Sequence, residues 1–227
     1  MAKSCEHLSG SSPLPAHLRG GVVAIGNFDG VHRGHQAVLG RALEEARRRD
    51  VPALALTFEP HPRKVFRPDI PLFVLTPPKM KAKLLSYLGF SCLVVQPFTR
   101  EFAASSAETF VTDILEKNLG ICHVVTGFNF HFGKDRQGGP AYLMEAGKRH
   151  GFGVTLVDAF RDEGASVVSS SRIRTALGEG DPVEAAGLLG YRFTVQGEVI
   201  GGEKLGRTLG FPTANMRLSP EAALKEG

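Results

Sequence analysis

The stretch Gly26-Asn27-Phe28-Asp29-Gly30-Val31-His32-Arg33-Gly34-His35 decides the fold of this chain. It sets a glycine-broken turn and two histidines between Val22-Val23-Ala24-Ile25, an apolar run of strand length, and a segment where Val38, Leu39, Ala42, Leu43 and Ala46 recur at helical spacing. A strand-to-helix turn of this kind aims backbone N–H groups and the positive end of a helix dipole at its ligand, which favours anions. Residues at i and i+3 share one helix face, so His32 and His35 can converge on a single group. The turn reads as a phosphate holder.

Outward from the turn, apolar runs alternate with amphipathic stretches through about residue 180. The strand candidates are Val22 to Gly26, Ala53 to Phe58, Cys92 to Gln96, His123 to Gly127 and Val154 to Asp158. The helix candidates between them are His35 to Arg49, Pro78 to Leu88, Ser106 to Asn118 and Ala141 to His150. That alternation predicts an α/β fold with a parallel, Rossmann-like sheet and right-handed crossovers. The unusual residues cluster where strands end: Asn27-Phe28-Asp29, Glu59-Pro60-His61-Pro62, Pro97-Phe98 and Phe128 to Gly133. Open α/β sheets bind ligands at the carboxyl ends of their strands, so one cleft is expected to collect these segments.

Composition narrows the class. With 227 residues, 42% of them hydrophobic, the chain can bury a sizeable core, and a formal charge of +4 suits a substrate carrying several phosphates. Arg47-Arg48-Arg49 reads as a solvated helix face, and no nucleic-acid partner is expected. The three cysteines, Cys5, Cys92 and Cys122, have no paired spacing and read as reduced, cytoplasmic thiols. No apolar run approaches membrane-spanning length, so no membrane partner is expected either.

Several motif readings are excluded by spacing. The histidines lack the i, i+4 spacing and intervening Glu of a zinc protease helix, and glycines at 26, 30 and 34 do not spell a dinucleotide fingerprint. Gly201 to Thr208 nearly spells a Walker loop, but Arg207 replaces the required Lys and Pro212 follows. Phe128, Phe130 and Phe132 alternate in β fashion and suit a strand as well as a flavin stack. Ser169 to Ser171 suit a helix cap, which is compatible with phosphate binding. His61, between two prolines, suits a rigid loop with a binding role.

Gly26 to His35 resembles the His-x-Gly-His signature of the nucleotidyltransferase superfamily. Four further segments follow in order: Thr57-Phe58-Glu59-Pro60-His61-Pro62, Gly127-Phe128-Asn129-Phe130-His131-Phe132-Gly133, Val168-Ser169-Ser170-Ser171-Arg172-Ile173-Arg174 and Gly210-Phe211-Pro212-Thr213-Ala214-Asn215. Together they resemble the bacterial bifunctional riboflavin kinase/FMN adenylyltransferase (FAD synthetase) family over nearly the whole chain. The resemblance implies that ATP and FMN are the substrates, with Mg²⁺ as cofactor. His32, His35 and Arg174 would be the catalytic residues, neutralising charge on the leaving pyrophosphate. Gly26, Asn27, Phe28, Asp29, Gly34, Ser169, Ser170 and Ser171 would bind ATP, Ser171 standing where the family usually has Thr. Pro60, His61, Pro62 and Asn129 would border the flavin substrate. Gly206, Arg207, Thr213 and Asn215 would form the ATP and Mg²⁺ motif of a riboflavin kinase segment, with Thr213 and Asn215 nearest the metal.

The expected organisation is a leader over 1–20, an adenylyltransferase domain over 21–187 and a partial riboflavin kinase domain over 188–227. The last would be an incomplete β-barrel, because the family's remaining strands and catalytic carboxylate lie downstream of the Pro-Thr-Ala-Asn motif. Kinase activity is therefore not expected of this stretch. Two other readings stay open on the residues alone: adenylyl or cytidylyl transfer to a different phosphorylated acceptor, and a non-catalytic flavin or nucleotide binder.

Overall fold

The computed structural model describes residues 5–201, 210–211 and 215–218. Six strands form one sheet in the order β1-β4-β3-β2-β5-β6, and every neighbouring pair runs parallel. They are β1 (Glu6–Ser9), β2 (Val22–Ile25), β3 (Ala53–Glu59), β4 (Cys92–Pro97), β5 (His123–Gly127) and β6 (Gly153–Val157). From β2 the chain steps outward through β3 to β4, then crosses back to lay β5 on the other side of β2. The strand order reverses at the β2/β5 pair, where α/β sheets open a ligand crevice.

Side chains alternate across the sheet as strand geometry requires. Val23, Ile25, Leu54, Leu56 and Phe58 pack into one core with Phe110, Leu115, Leu119 and Leu143. Val22, Ala24, Ala53 and Ala55 pack into a second core with Leu39 and Ala42 of α1 (Arg33–Arg49) and Leu85 near the end of the helix Pro78–Leu88. A helix layer on each face explains why β2 to β5 read as unbroken apolar runs. Numbered in chain order, the other helices are α2 (Pro62–Phe66), α3 (Pro78–Leu88), α4 (Arg100–Ala103), α5 (Ala107–Thr109), α6 (Pro140–His150), α7 (Ser170–Glu179) and α8 (Pro182–Leu189). A third cluster joins Leu75, Ile173, Leu188 and Leu189 around α7 and α8.

The structure corrects three expectations. Residues 6–9, assigned to a leader, form the sheet's edge strand, with Glu6 opposite Cys92 and Leu8 opposite Val94; one face of β1 is exposed, so its sequence carries a single apolar residue. The helix expected over Ser106 to Asn118 starts as α5 and continues as a π-helix over Phe110–Leu119. Phe110, Ile114, Leu115 and Leu119 recur every four or five residues, which puts them on one side of an i→i+5 helix. Residues 128–132 form a turn and not a strand, and only Phe132 makes a bridge, to Gly138. Near the expected domain boundary, α8 runs through Leu189, and Leu188 and Leu189 pack with Leu75 and Ile173. Beyond it the described residues form one antiparallel pair, β7 (Gly197–Ile200) with β8 (Asn215–Leu218).

Leu115 is fully buried on the π-helix. Leu115→Ala is expected to lower the unfolding free energy by about 2–5 kcal/mol, read from the shift of a denaturant titration.

Candidate active site

The turn after β2 is the most strained part of the backbone. Phe28 (φ 48°), Gly30 (φ 92°) and Val31 (φ 40°) all occupy the left-handed region, which for a β-branched residue such as Val31 is a true outlier. A turn of this shape persists only when its surroundings hold it. The carboxylate of Asp29, 2% exposed, accepts the Thr76 N–H at 2.9 Å and pairs with the Arg174 guanidinium. Its carbonyl accepts from Ser170 Oγ at 2.8 Å. The Asn27 carbonyl accepts from Thr57 Oγ1 and Lys81 Nζ, each at 3.0 Å.

This frame delivers the two histidines to the start of α1. His32 caps the helix, its Nδ1 accepting the His35 N–H at 3.3 Å. The two rings stack with centroids 3.7 Å apart, and Phe28 meets His35 edge-on at 5.5 Å. Gly34 lies under this stack: a Cβ there would sit 3.2 Å from the His32 ring. With Nδ1 accepting, the His32 proton belongs on Nε2, which leaves that nitrogen a donor.

Both imidazoles are neutral at physiological pH. Burial, and then the Arg174 charge, hold the His32 pKa at about 4. Burial, His32 and Lys81 hold His35 well below the usual range. The pair therefore presents neutral rings, and His32 would meet the pyrophosphate charge as an N–H donor. Burial pushes the Asp29 carboxyl up, against the pull of Arg174 and the Thr76 N–H.

The remaining expected residues fall into three groups. Gly26, Asn27, Phe28, Asp29, Ser170 and Arg174 are assembled around the turn, but Phe28 and Asp29 point inward and shape it. Arg174 spends Nε on the Phe73 carbonyl at 2.6 Å and Nη2 on Asp29. Ser169 caps α7, accepting the Arg172 N–H at 3.4 Å, and Ser171 is exposed on the first turn of α7. On the loop after β3, Pro60 is exposed, His61 caps α2 by accepting the Arg63 N–H at 3.1 Å, and Pro62 opens that helix. Asn129 is exposed on the loop after β5. These two loops share the carboxyl edge with the histidine turn. Gly206, Arg207 and Thr213 lie outside the described residues, and Asn215 opens β8, exposed and opposite Ile200. Among the described residues no cluster of three or more His, Cys, Asp or Glu is arranged to hold a metal.

Two features escaped the sequence reading. Lys81, 3% exposed, contacts Asn27, Thr57 and Glu59, with its Nζ 2.9 Å from Glu59 Oε1. Its position four residues before Leu85 on the buried face of α3 was the available signal. An aromatic cluster also gathers beside the turn from β3, α4, the π-helix and the loop after β5. Phe110 lies 4.8 Å from Phe132, Phe132 stacks on Phe130 at 5.5 Å, and Phe58 meets Phe98 at 6.0 Å. At its rim Phe66 packs edge-on to Phe98 at 5.7 Å while 61% exposed.

The depressed histidines set a pH dependence. A histidine whose folded pKa lies below its unfolded value of 6.5 binds its proton mainly in the unfolded chain, so stability is whole above that value and falls as the pH drops from 6.5 toward 4. Denaturant titrations across that window should show the fall, and His32→Gln should make it shallower.

Residues 14–172 match the FAD synthetase family, and residues 189–227 match the riboflavin kinase family. The bifunctional riboflavin kinase/FMN adenylyltransferase of Escherichia coli K12 is 39% identical over 212 residues, covering 93% of this chain and 67% of that protein. The protein of the same name from Bacillus subtilis is 39% identical over 201 residues, 87% of this chain and 62% of its own length. The chain thus spans about two thirds of the length of these relatives. A crystal structure described as a macrolide-efflux protein from Streptococcus pneumoniae superposes with a TM-score of 0.84 at 29% identity, covering 96% of this chain and 71% of that one. No described helix of the present chain is long and apolar enough to cross a membrane. Parallel sheet, histidine turn and matched length agree: the chain belongs to the FAD synthetase family.

Proposed function

We propose that this chain transfers the adenylyl group of ATP to FMN, giving FAD and pyrophosphate. The observation that carries the reading is the stacked, neutral His32/His35 pair, held by a strained turn at the start of α1. An oxygen of the FMN phosphate attacks the α-phosphorus of ATP in line, and the bond from that phosphorus to the bridging oxygen breaks as pyrophosphate leaves. No enzyme nucleophile is needed, so catalysis comes from positioning and from donors placed where charge develops. The His32 Nε2–H and the N–H groups that open α1 face the phosphate chain, and the N-terminal dipole of α1 adds to their field. Mg²⁺ would enter with the nucleotide substrate and offset charge on its phosphates, which suits a site where no metal-holding cluster of side chains is found among the described residues.

The acceptor end lies toward the loop after β3. Once burial is counted, the charges acting on the His61 ring are those of Arg174, Lys81, Arg63 and Lys64, and the ring pKa falls to about 4. Arg63 and Lys64 of α2 bring positive charge to this end, which suits the FMN phosphate, whereas Arg174 and Lys81 are paired with Asp29 and Glu59. The aromatic cluster behind it, with Phe66 at the rim, suits the flat flavin ring, which gains from stacked and edge-on contacts. The reading is confined to adenylyl transfer. Cys5, Cys92 and Cys122 are unpaired, in keeping with a cytoplasmic setting.

Incubation with FMN, ATP and Mg²⁺ should yield FAD and pyrophosphate by chromatography; absence of FAD at high enzyme concentration would contradict the reading. His35→Ala should lower the rate roughly 10²–10³-fold, far more than loss of the stacked ring lowers the melting temperature. Phe66→Ala should raise the KM for FMN roughly three- to tenfold, the worth of one aromatic contact, with the KM for ATP unchanged.

A further inference from the structure

Gly30, at the tip of the turn, is gripped from outside through both of its polar backbone atoms. Its N–H donates to Thr76 Oγ1 at 2.9 Å, and its carbonyl accepts from the Tyr191 hydroxyl at 2.6 Å. A Cβ on Gly30 would meet Leu75 at 3.0 Å and Leu189 at 3.5 Å, so both segments close over it. Gln36 Nε2 ties the start of α1 to the same place, donating to the Val31 and Leu189 carbonyls, each at 2.8 Å. Phe193 packs edge-on to Phe73 at 6.0 Å, and the Phe73 carbonyl is the one that orients Arg174. Burial pushes the Tyr191 phenol up, so its hydroxyl remains a donor. Residues 189–193 open the stretch that matches the riboflavin kinase family, yet Leu189 and Tyr191 reach Gln36 and Gly30 at the histidine turn.

We propose that Tyr191 is a positioning residue of the adenylyl-transfer site: its hydroxyl fixes the Gly30 carbonyl and with it the left-handed turn that presents His32 and the backbone N–H groups to the phosphates of ATP. The inference rests on the adenylyl-transfer reading for its chemistry and on the Gly30 contacts for its geometry. Tyr191 touches no reacting atom and acts through Gly30. The opening residues of the kinase-matching stretch are then part of the neighbouring site, and the two matched stretches join functionally there.

The test uses the 227-residue chain carrying Tyr191→Phe, which keeps the ring's packing and removes only the hydroxyl. ATP affinity is measured by calorimetry without flavin, beside the melting temperature and the steady-state constants for FAD formation. The expected result is an ATP dissociation constant roughly three- to tenfold higher, as for loss of one hydrogen bond. The melting temperature should fall by no more than about 5 °C, and the KM for FMN should not change. Thr76→Val, which removes the hydroxyl on the Gly30 N–H, should move ATP affinity in the same direction, and the two changes should couple in the double variant. Unchanged ATP affinity in Tyr191→Phe overturns the proposal, as does a loss that appears only with a matching fall in melting temperature. A parent chain that binds ATP but forms no FAD refutes the adenylyl-transfer reading while the Tyr191 effect on ATP is still read.

Discussion

The buried carboxylate of Asp29 is the constraint on which the rest of the site depends. It joins three segments far apart in sequence: the turn after β2, the loop carrying Thr76 and the helix carrying Arg174. Taking a carboxylate and a guanidinium out of water is costly, and removing one partner of such a pair destabilises by about 3–5 kcal/mol because the other is left uncompensated. The pair is thus poor evidence of extra stability and good evidence of geometric specification. With Asp29 fixed, Phe28 and Val31 are held in conformations they would otherwise leave, and His32 lands on the N-terminus of α1.

Around this anchor the sheet divides the work. The β2/β5 reversal opens the crevice, α1 contributes its N-terminus, and β3 carries Thr57 and Glu59 up to Lys81. The buried lysine pins the Asn27 carbonyl from below while Asp29 pins the turn from the side. The end proposed for the flavin is built differently, from rings supplied by several elements. Apolar contact there is adaptable, whereas the phosphate end depends on hydrogen-bond geometry.

Much of this was legible in the sequence, for physical reasons. Central parallel strands are buried on both faces, so β2, β3, β4 and β5 appear as continuous apolar runs with ends correct to a residue or so. The histidine turn and the Ser169 cap were readable because Gly, His and Ser at a strand-to-helix junction have few other uses. An edge strand such as Glu6–Ser9 carries little apolar signal, and a π-helix differs from an α-helix only in the spacing of a few core residues. The neutral state of His32 and His35 was beyond reach, since it follows from burial by segments far away in sequence. Lys81 and Tyr191 were missed for a related reason: each acts on a backbone carbonyl, and sequence patterns say nothing about which carbonyl a side chain will find.

The most direct measurement is the ring nitrogen NMR spectrum of His32 and His35 at neutral pH, with and without ATP and Mg²⁺. The account requires both rings neutral in the free protein, His32 protonated on Nε2, and the His32 Nε2–H shifted on addition of nucleotide. Rings that titrate near 6.5, or that remain unmoved by saturating ATP, would contradict it.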